Sequence, residues 1–301
     1  MRSMLLFVPF LFACDGSDTD ETDTSATCGA PYEPFLASNY EAQLQRVDAF
    51  EQIVALSDAT DFSASSFAAM ETLYGTADLS AKVAGRTDDH VGASTVAVGA
   101  VLDGDIRAAL AAGAAGDDIH VQAQIIDKTL QRFFALSVYH EGQGAADASM
   151  AAEDVAGQWD EGFGYFGVSN DGQTAKGIAA TLAKRDSEFG LSLVDTAFNG
   201  LLDGRCALVT DDRAAALAAL EGVDGAIATG FAASVIHEMD EYEETSDPVV
   251  YAEAELYWKA VKDATIARDA AAAAAIQGEF DEGADPVAVR EAVAMAWGFA
   301  F

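Results

Sequence analysis

Apolar side chains recur about once per helical turn along most of this chain, and that spacing predicts helices nearly throughout. Leu44, Val47, Phe50, Ile53, Val54 and Leu56 form a first amphipathic stripe behind a capping signal at Ser38-Asn39, ending near Asp58. Phe67, Met70, Leu73 and Tyr74 form a second, which stops at Gly75. A third begins around Ser94-Thr95, runs through Val98, Val101 and Leu102 to Leu110, and ends in the break from Gly113 to Gly116. Asp117-Asp118 opens a long helix whose Ile119, Ala123, Ile126, Leu130, Phe133 and Ser137 share one face, with a break expected at Gly142-Gln143-Gly144. Helix resumes over 147–158 and leads into Trp159. Residues 162–167, Gly-Phe-Gly-Tyr-Phe-Gly, are too rich in glycine and aromatics for a regular surface helix. Further helices are expected at 174–184, 188–202, 211–242, 248–277 and 286–297, with Gly222 to Gly225 a candidate break in the third. Pro248 and Pro286 stand at first-turn positions, where a missing N–H costs nothing. The expected fold class is all-α, a multi-helix bundle.

The N-terminus departs from this pattern. Arg2 precedes a short apolar run, residues 4–12, too brief to span a bilayer as a permanent helix, and the run ends in Leu11-Phe12-Ala13-Cys14. This reads as a lipoprotein signal peptide over 1–13, with Cys14 acylated as the new N-terminus; Phe12 is bulkier than a lipobox usually holds. Acids, hydroxyls and one glycine follow, with no apolar face to bury, so 14–33 is expected to be a disordered acidic tether and 34–301 the helical domain. The expected location is the cell envelope, exported and lipid-anchored to the inner or outer membrane. With Cys14 assigned to lipid, Cys28 and Cys206 remain, and an oxidising compartment would let them bridge; two separate thiols are the alternative.

Charge narrows the partners. The formal net charge of -34 and a pI near 4.1 repel phosphate backbones and anionic headgroups, which excludes nucleic acid as a charge-attracted partner and favours cations. An acidic surface also keeps an exported protein soluble, above all in salty surroundings.

Candidate chemistry is sparse. On a helix, His237 and Glu241 at i, i+4 and Asp240 at i+3 place an imidazole and two carboxylates close together, an arrangement suited to a transition metal. His237-Glu238-Met239-Asp240-Glu241 resembles the zinc-protease H-E-x-x-H with Glu241 where the second histidine belongs, which weakens a peptidase reading. His140-Glu141, at the end of the long helix, is a secondary candidate. Asp160 and Glu161, beside Trp159, Phe163, Tyr165 and Phe166, are either ligands at a cleft or acids that cap or pair with Arg46 or Arg205 at a tight helix junction. No nucleophile elbow, phosphate-binding loop or dinucleotide fingerprint is present.

The run Trp-Asp-Glu-Gly-Phe-Gly-Tyr-Phe-Gly at 159–167 resembles the W-D-E-A-F-G-Y-F-G of a family of bacterial exported lipoproteins, distantly imelysin-like. Gln43-Leu44-Gln45-Arg46 is similar to that family's G-Q-T-x-R entry to the first helix, with Ala42 in place of the glycine. Residues 199–207 are similar to its G-R-A-A-I segment, with Cys206 in place of an alanine, and Ala232 to His237 and Tyr257 to Lys262 to its closing A-x-x-V-x-H and H-W-S-E-x-K helices. The resemblance implies a helical bundle, or two fused bundles, at the periplasm or outer membrane, associated with iron uptake. Imelysin's G-x-H-x-x-E is absent, since Val235 precedes His237 by two positions. The functional expectation is a membrane-anchored, non-enzymatic binding protein for iron or another divalent metal, using His237, Glu241, Asp240, Asp160 and Glu161. The alternatives are a structural or interaction lipoprotein without a small ligand and a degenerate metallopeptidase.

Overall fold

The computed structural model describes residues 29–35, 40–90, 96–147 and 149–299. Cys14, Cys28 and the Ser38-Asn39 capping signal lie outside the described residues, as does the signal-peptide segment. Within them the chain forms α1 (Glu41–Ser57), α2 (Ser66–Tyr74), α3 (Leu79–Ala84), α4 (Gly99–Ala115), α5 (Ile119–Ala146), α6 (Ala152–Phe166), α7 (Gly177–Phe189), α8 (Leu193–Val209), α9 (Arg213–Thr245), α10 (Pro248–Arg268), α11 (Ala270–Glu282) and α12 (Pro286–Trp297). The protein is an all-α multi-helix bundle. Its strands among the described residues are β1 (Thr87–Asp88) and β2 (Val96–Ala97), paired antiparallel as Thr87 with Ala97 and Asp88 with Val96.

The two longest helices organise the rest. α5 packs against α4, α6, α9 and α10, and α9 against α5, α7, α8, α10 and α12. One connected core of buried apolar side chains runs from Tyr32 to Ala294. Asp212, Asp247, Asp269 and Asp285 accept hydrogen bonds from the first free backbone N–H groups of α9, α10, α11 and α12, which fixes where each helix begins. Pro248 and Pro286 occupy first turns, as their missing donors allow.

Several predicted breaks do not occur. α5 continues through Gly142 and Gly144 to Ala146 because these positions are contact surfaces: Leu220 lies where a Gly142 side chain would go, and the Gln158 amide where a Gly144 side chain would go. α9 passes unbroken through Gly222 and Gly225, since its buried stripe outweighs a cost of about 1 kcal/mol per glycine. The glycine-rich run at 162–166 is itself the end of α6, a buried helix whose Gly164 faces Tyr40 and Gln43 of the α1 entry, and which stops where Gly167 adopts φ 84°. The expected helix at 248–277 is two, divided where Asp269 leaves helical geometry and caps α11. The expected helix at 188–202 starts late, at Leu193, because Gly190 at φ 65° closes α7 first. α4 starts at Gly99, after Val96 and Ala97, which are paired to β1; the expected start at Ser94-Thr95 lies outside the described residues. Short α3 carries too little periodicity to be read from sequence.

Tyr32, inside the stretch read as tether, is buried: its ring stacks on Phe163 at 3.6 Å and its N–H donates to Asn170 O at 2.6 Å. The packed region therefore starts earlier than residue 34.

The β1–β2 arm is clasped to the bundle by histidines. His90 Nδ1 lies 2.8 Å from Asp88 Oδ1 and Nε2 3.0 Å from Asp224 Oδ1 of α9, while the ring stacks on Tyr139 at 3.9 Å. His140 pairs with Asp89. Burial pulls the His90 pKa down, but the hydrogen bonds to Asp224 and Asp88 outweigh it and raise it to about 10. A histidine raised above its unfolded value of 6.5 stabilises fully below that pH and loses its contribution as the pH rises through about 10. Wild type and His90→Gln are therefore expected to differ by about 1 kcal/mol near neutrality, allowing for partial exposure, and to converge above about pH 10 in thermal melts. A gap independent of pH would count against the charged clasp.

Candidate functional site

The candidate site is built by α9 and covered by α7. Along α9, Val235, Ile236 and Met239 enter the core, so the residues between them are held at its edge. His237 is half-buried, Glu238 buried and Glu241 exposed, and one ligating atom from each lies within 4.8 Å of the others. His237 Nε2 is 3.9 Å from Glu241 Oε2, and Nδ1 is 3.3 Å from Glu188 Oε2 at the end of α7. Burial, then the charge of Arg185, lowers the His237 pKa against the pull of Glu188, Glu241 and Asp240. The imidazole is thus kept neutral with a lone pair to offer, which metal ligation requires.

Behind this face lies a buried ionic network. Arg185 Nη2 donates to Glu188 Oε1 at 3.2 Å, and Arg185 Nη1 stands 4.0 Å from Glu238 Oε1. Deeper, Lys128 of α5 donates to Asp127 Oδ2 at 2.7 Å, lies 3.2 Å from Glu253 Oε2 of α10, and sits 5.1 Å from the Tyr257 ring centre. Gln131 donates to Asp127 Oδ1 at 2.8 Å and accepts from Thr181 at 2.9 Å, extending the network to α7. Burial pulls the Lys128 ammonium down, yet Asp127, Tyr257 and Glu253 hold it well above the usual lysine value. Burial, then the charge of Glu253, pushes the Glu238 carboxyl up to about 8, against Lys128 and Arg185.

The other sequence candidates lie elsewhere. Asp240 pairs with Arg290 of α12 and is not among the converging ligand atoms, although its charge still reaches His237. Asp160, 0% exposed, accepts from Tyr32 Oη at 2.9 Å and Phe35 N at 3.2 Å, which pins the entry segment to α6. The Arg205 guanidinium reaches the same place, 4.8 Å over the Phe35 ring. Arg46 donates to Tyr165 Oη at 2.9 Å and Ala77 O at 2.8 Å. Glu161 accepts from Gln43 and lines a separate cleft with His140 and Glu141. The structure therefore brings His237 and Glu241 together, and gives Asp240, Asp160 and Glu161 other partners. Cys206 is half-buried on α8, and its proposed partner Cys28 is outside the described residues.

Two acids were missed by sequence reasoning. Glu238 is adjacent to His237 and stood in the same pentapeptide; its burial is the signal that was not readable. Glu188 comes from another helix, and nothing local announces it. A second histidine for a peptidase site does not arrive: His90 is held by Asp88 and Asp224, His140 of α5 pairs with Asp89, and His120 lies against Phe62.

The chain matches no protein-family model, no curated protein and no solved structure.

Proposed function

We propose that this protein is an exported, lipid-anchored helical binding protein that holds a divalent transition-metal ion where α9 meets the end of α7. The observation that carries the reading is the convergence of His237, Glu238 and Glu241 within 4.8 Å, with Glu188 against the other ring nitrogen of His237. One imidazole nitrogen with carboxylate oxygens suits iron(II), zinc or manganese. Export and anchoring at Cys14 are supported by the charged and apolar leader ending in Ala13-Cys14 and by the acidic stretch after it. The resemblance of 159–167 and the shorter motifs to imelysin-like lipoproteins supports a link to iron uptake at the cell envelope.

Wild-type protein purified without chelators is expected to carry bound metal, and His237→Ala to lose affinity by about tenfold or more, since even residues behind metal ligands contribute that much. Elemental analysis and competitive metal titration measure this, and equal metal content in both proteins would remove the site. One observation favours a second reading, a structural or interaction lipoprotein. Arg185 and Lys128 already stand among these acids and compensate part of their charge without an ion. On that reading the network is a packing device and His237→Ala leaves metal content unchanged.

A further inference from the structure

A concave site lies apart from the His237 cluster, where the C-terminal turn of α3 meets α5 and α6. It is a cleft of about 360 Å³ lined by Ala81, Lys82, Gly85, Arg86, His140, Glu141, Gln158 and Glu161. Its charged walls are held in place from behind. Arg86 donates from Nη2 to Glu141 Oε1 at 3.2 Å, its guanidinium carbon lies 5.4 Å from the Phe133 ring centre, and its backbone carbonyl accepts from Gly99 N at 2.8 Å. Glu161 is held by the Gln43 amide. Gln158 is seated where Gly144 lacks a side chain.

Two cations and two carboxylates line the cleft, but only one pair of them is in ion-pair contact. Arg86 and Glu141 pair with each other, but Glu161 has no cation in ion-pair contact among the described residues. Burial, then the charge of Glu141, raises its pKa, and neither Lys82, Gln43 nor Arg46 offsets this. The exposed Lys82 ammonium likewise has no carboxylate in ion-pair contact among the described residues. One atom of a lining residue, Arg86 Nε, is buried without a hydrogen-bond partner, as is Oε1 of Gln43, the residue that holds Glu161. The cleft thus presents one under-compensated carboxylate and one exposed ammonium whose charge reaches Glu161 without ion-pair contact. Apart from the methyl of Ala81 its lining side chains are polar, with no aromatic cage of the kind that holds quaternary ammonium groups.

We propose that this cleft binds a small polar zwitterion of the α-amino-acid class, its primary ammonium against Glu161 and Glu141 and its carboxylate against Lys82. The ammonium donates the hydrogen bonds that Glu161 lacks, and the carboxylate accepts from Lys82. The volume is at the small end of ligand pockets and fits a single polar amino acid. A plain carboxylate meets two acids and a strongly negative chain, whereas a plain amine leaves Lys82 unengaged. The site is independent of the metal reading, because it shares no residue with the His237 cluster.

The test is calorimetric titration of the full chain, in detergent and with chelator present, with each common L-amino acid. The tightest binder is then compared with its decarboxylated amine and its deaminated acid. At least one polar amino acid is expected to bind at millimolar concentration or below, and each truncated analogue to bind about tenfold more weakly, a loss of one charge-assisted contact. Glu161→Gln is expected to weaken the amino acid by about the same factor. Lys82→Ala, at an exposed position, is expected to bring the amino acid down to the level of its amine while leaving the amine unchanged. No binding by any amino acid, an amine that binds as tightly as its amino acid, or full affinity in Lys82→Ala would each overturn the proposal.

Discussion

Trp159→Ala is expected to lower stability by about 3–5 kcal/mol, the range for removing a buried aromatic from a packed core. The indole is 1% exposed, its Nε1 donates to Leu201 O at 3.0 Å, and it lies against Gly204 of α8 so closely that a methyl group there would overlap the ring. Truncation therefore removes three things at once: the apolar transfer free energy, the hydrogen bond, and the filling of a space that α8 cannot collapse into without moving the helix. Its neighbours on α6 add to the effect. Phe163 stacks on Tyr32, and Tyr165 receives a hydrogen bond from Arg46, so a shift of α6 also loosens the entry segment and α1. Chemical denaturation followed by circular dichroism measures the change as a lower midpoint, and a loss under about 1 kcal/mol would mean that the residue 159–167 motif is not a packing element.

Lys128→Met is expected to cost a comparable 3–5 kcal/mol, although methionine matches the length of the lysine stem. Lys128, 9% exposed, is the cation between Asp127 and Glu253, and its charge also pulls down the raised pKa of Glu238. Removing one partner of a buried ionic group leaves like charges facing one another without compensation. The double replacement Lys128→Met with Glu253→Gln is expected to lose less than the sum of the single losses, because it removes one of the stranded carboxylates. Denaturant midpoints of the two single variants and the double variant give the coupling. Additive losses would show that Lys128 and Glu253 do not act as a pair.

Much of the fold was legible because helix formation is a local event. The stripe from Leu44 to Leu56 became α1, the Phe67–Tyr74 stripe became α2, and Pro286 with Asp285 marked the start of α12. Glycines were misread where their role depends on a neighbour. Gly142 and Gly144 lie inside α5 because Leu220 and Gln158 come from other parts of the chain to occupy the space they leave. Gly190, by contrast, ends α7 through its own backbone conformation, yet nothing in its immediate sequence distinguishes it from Gly222, which ends nothing.

The candidate site divides in the same way. The i, i+4 spacing of His237 and Glu241 on one helix places them together whatever the tertiary structure, and they are indeed neighbours. Asp240, at i+3, had the same claim by spacing, but Arg290 of α12 holds it elsewhere. Glu161 stood two residues from Phe163 in the most distinctive motif of the chain, and its partners, Gln43 and the Glu141 side of the cleft, come from α1 and α5.

By itself, then, the sequence determined that the chain is helical, where most turns of apolar surface fall, and that one histidine shares a helix face with a carboxylate. Each of these follows from hydrogen bonds and side-chain contacts within about four residues. The tertiary structure alone decided which glycines are seams between helices, that Glu188 and Arg185 join His237, and that Glu161 opens on a cleft with Lys82. Those outcomes depend on the register in which whole helices pack, a sum of many distant apolar contacts that no local window contains.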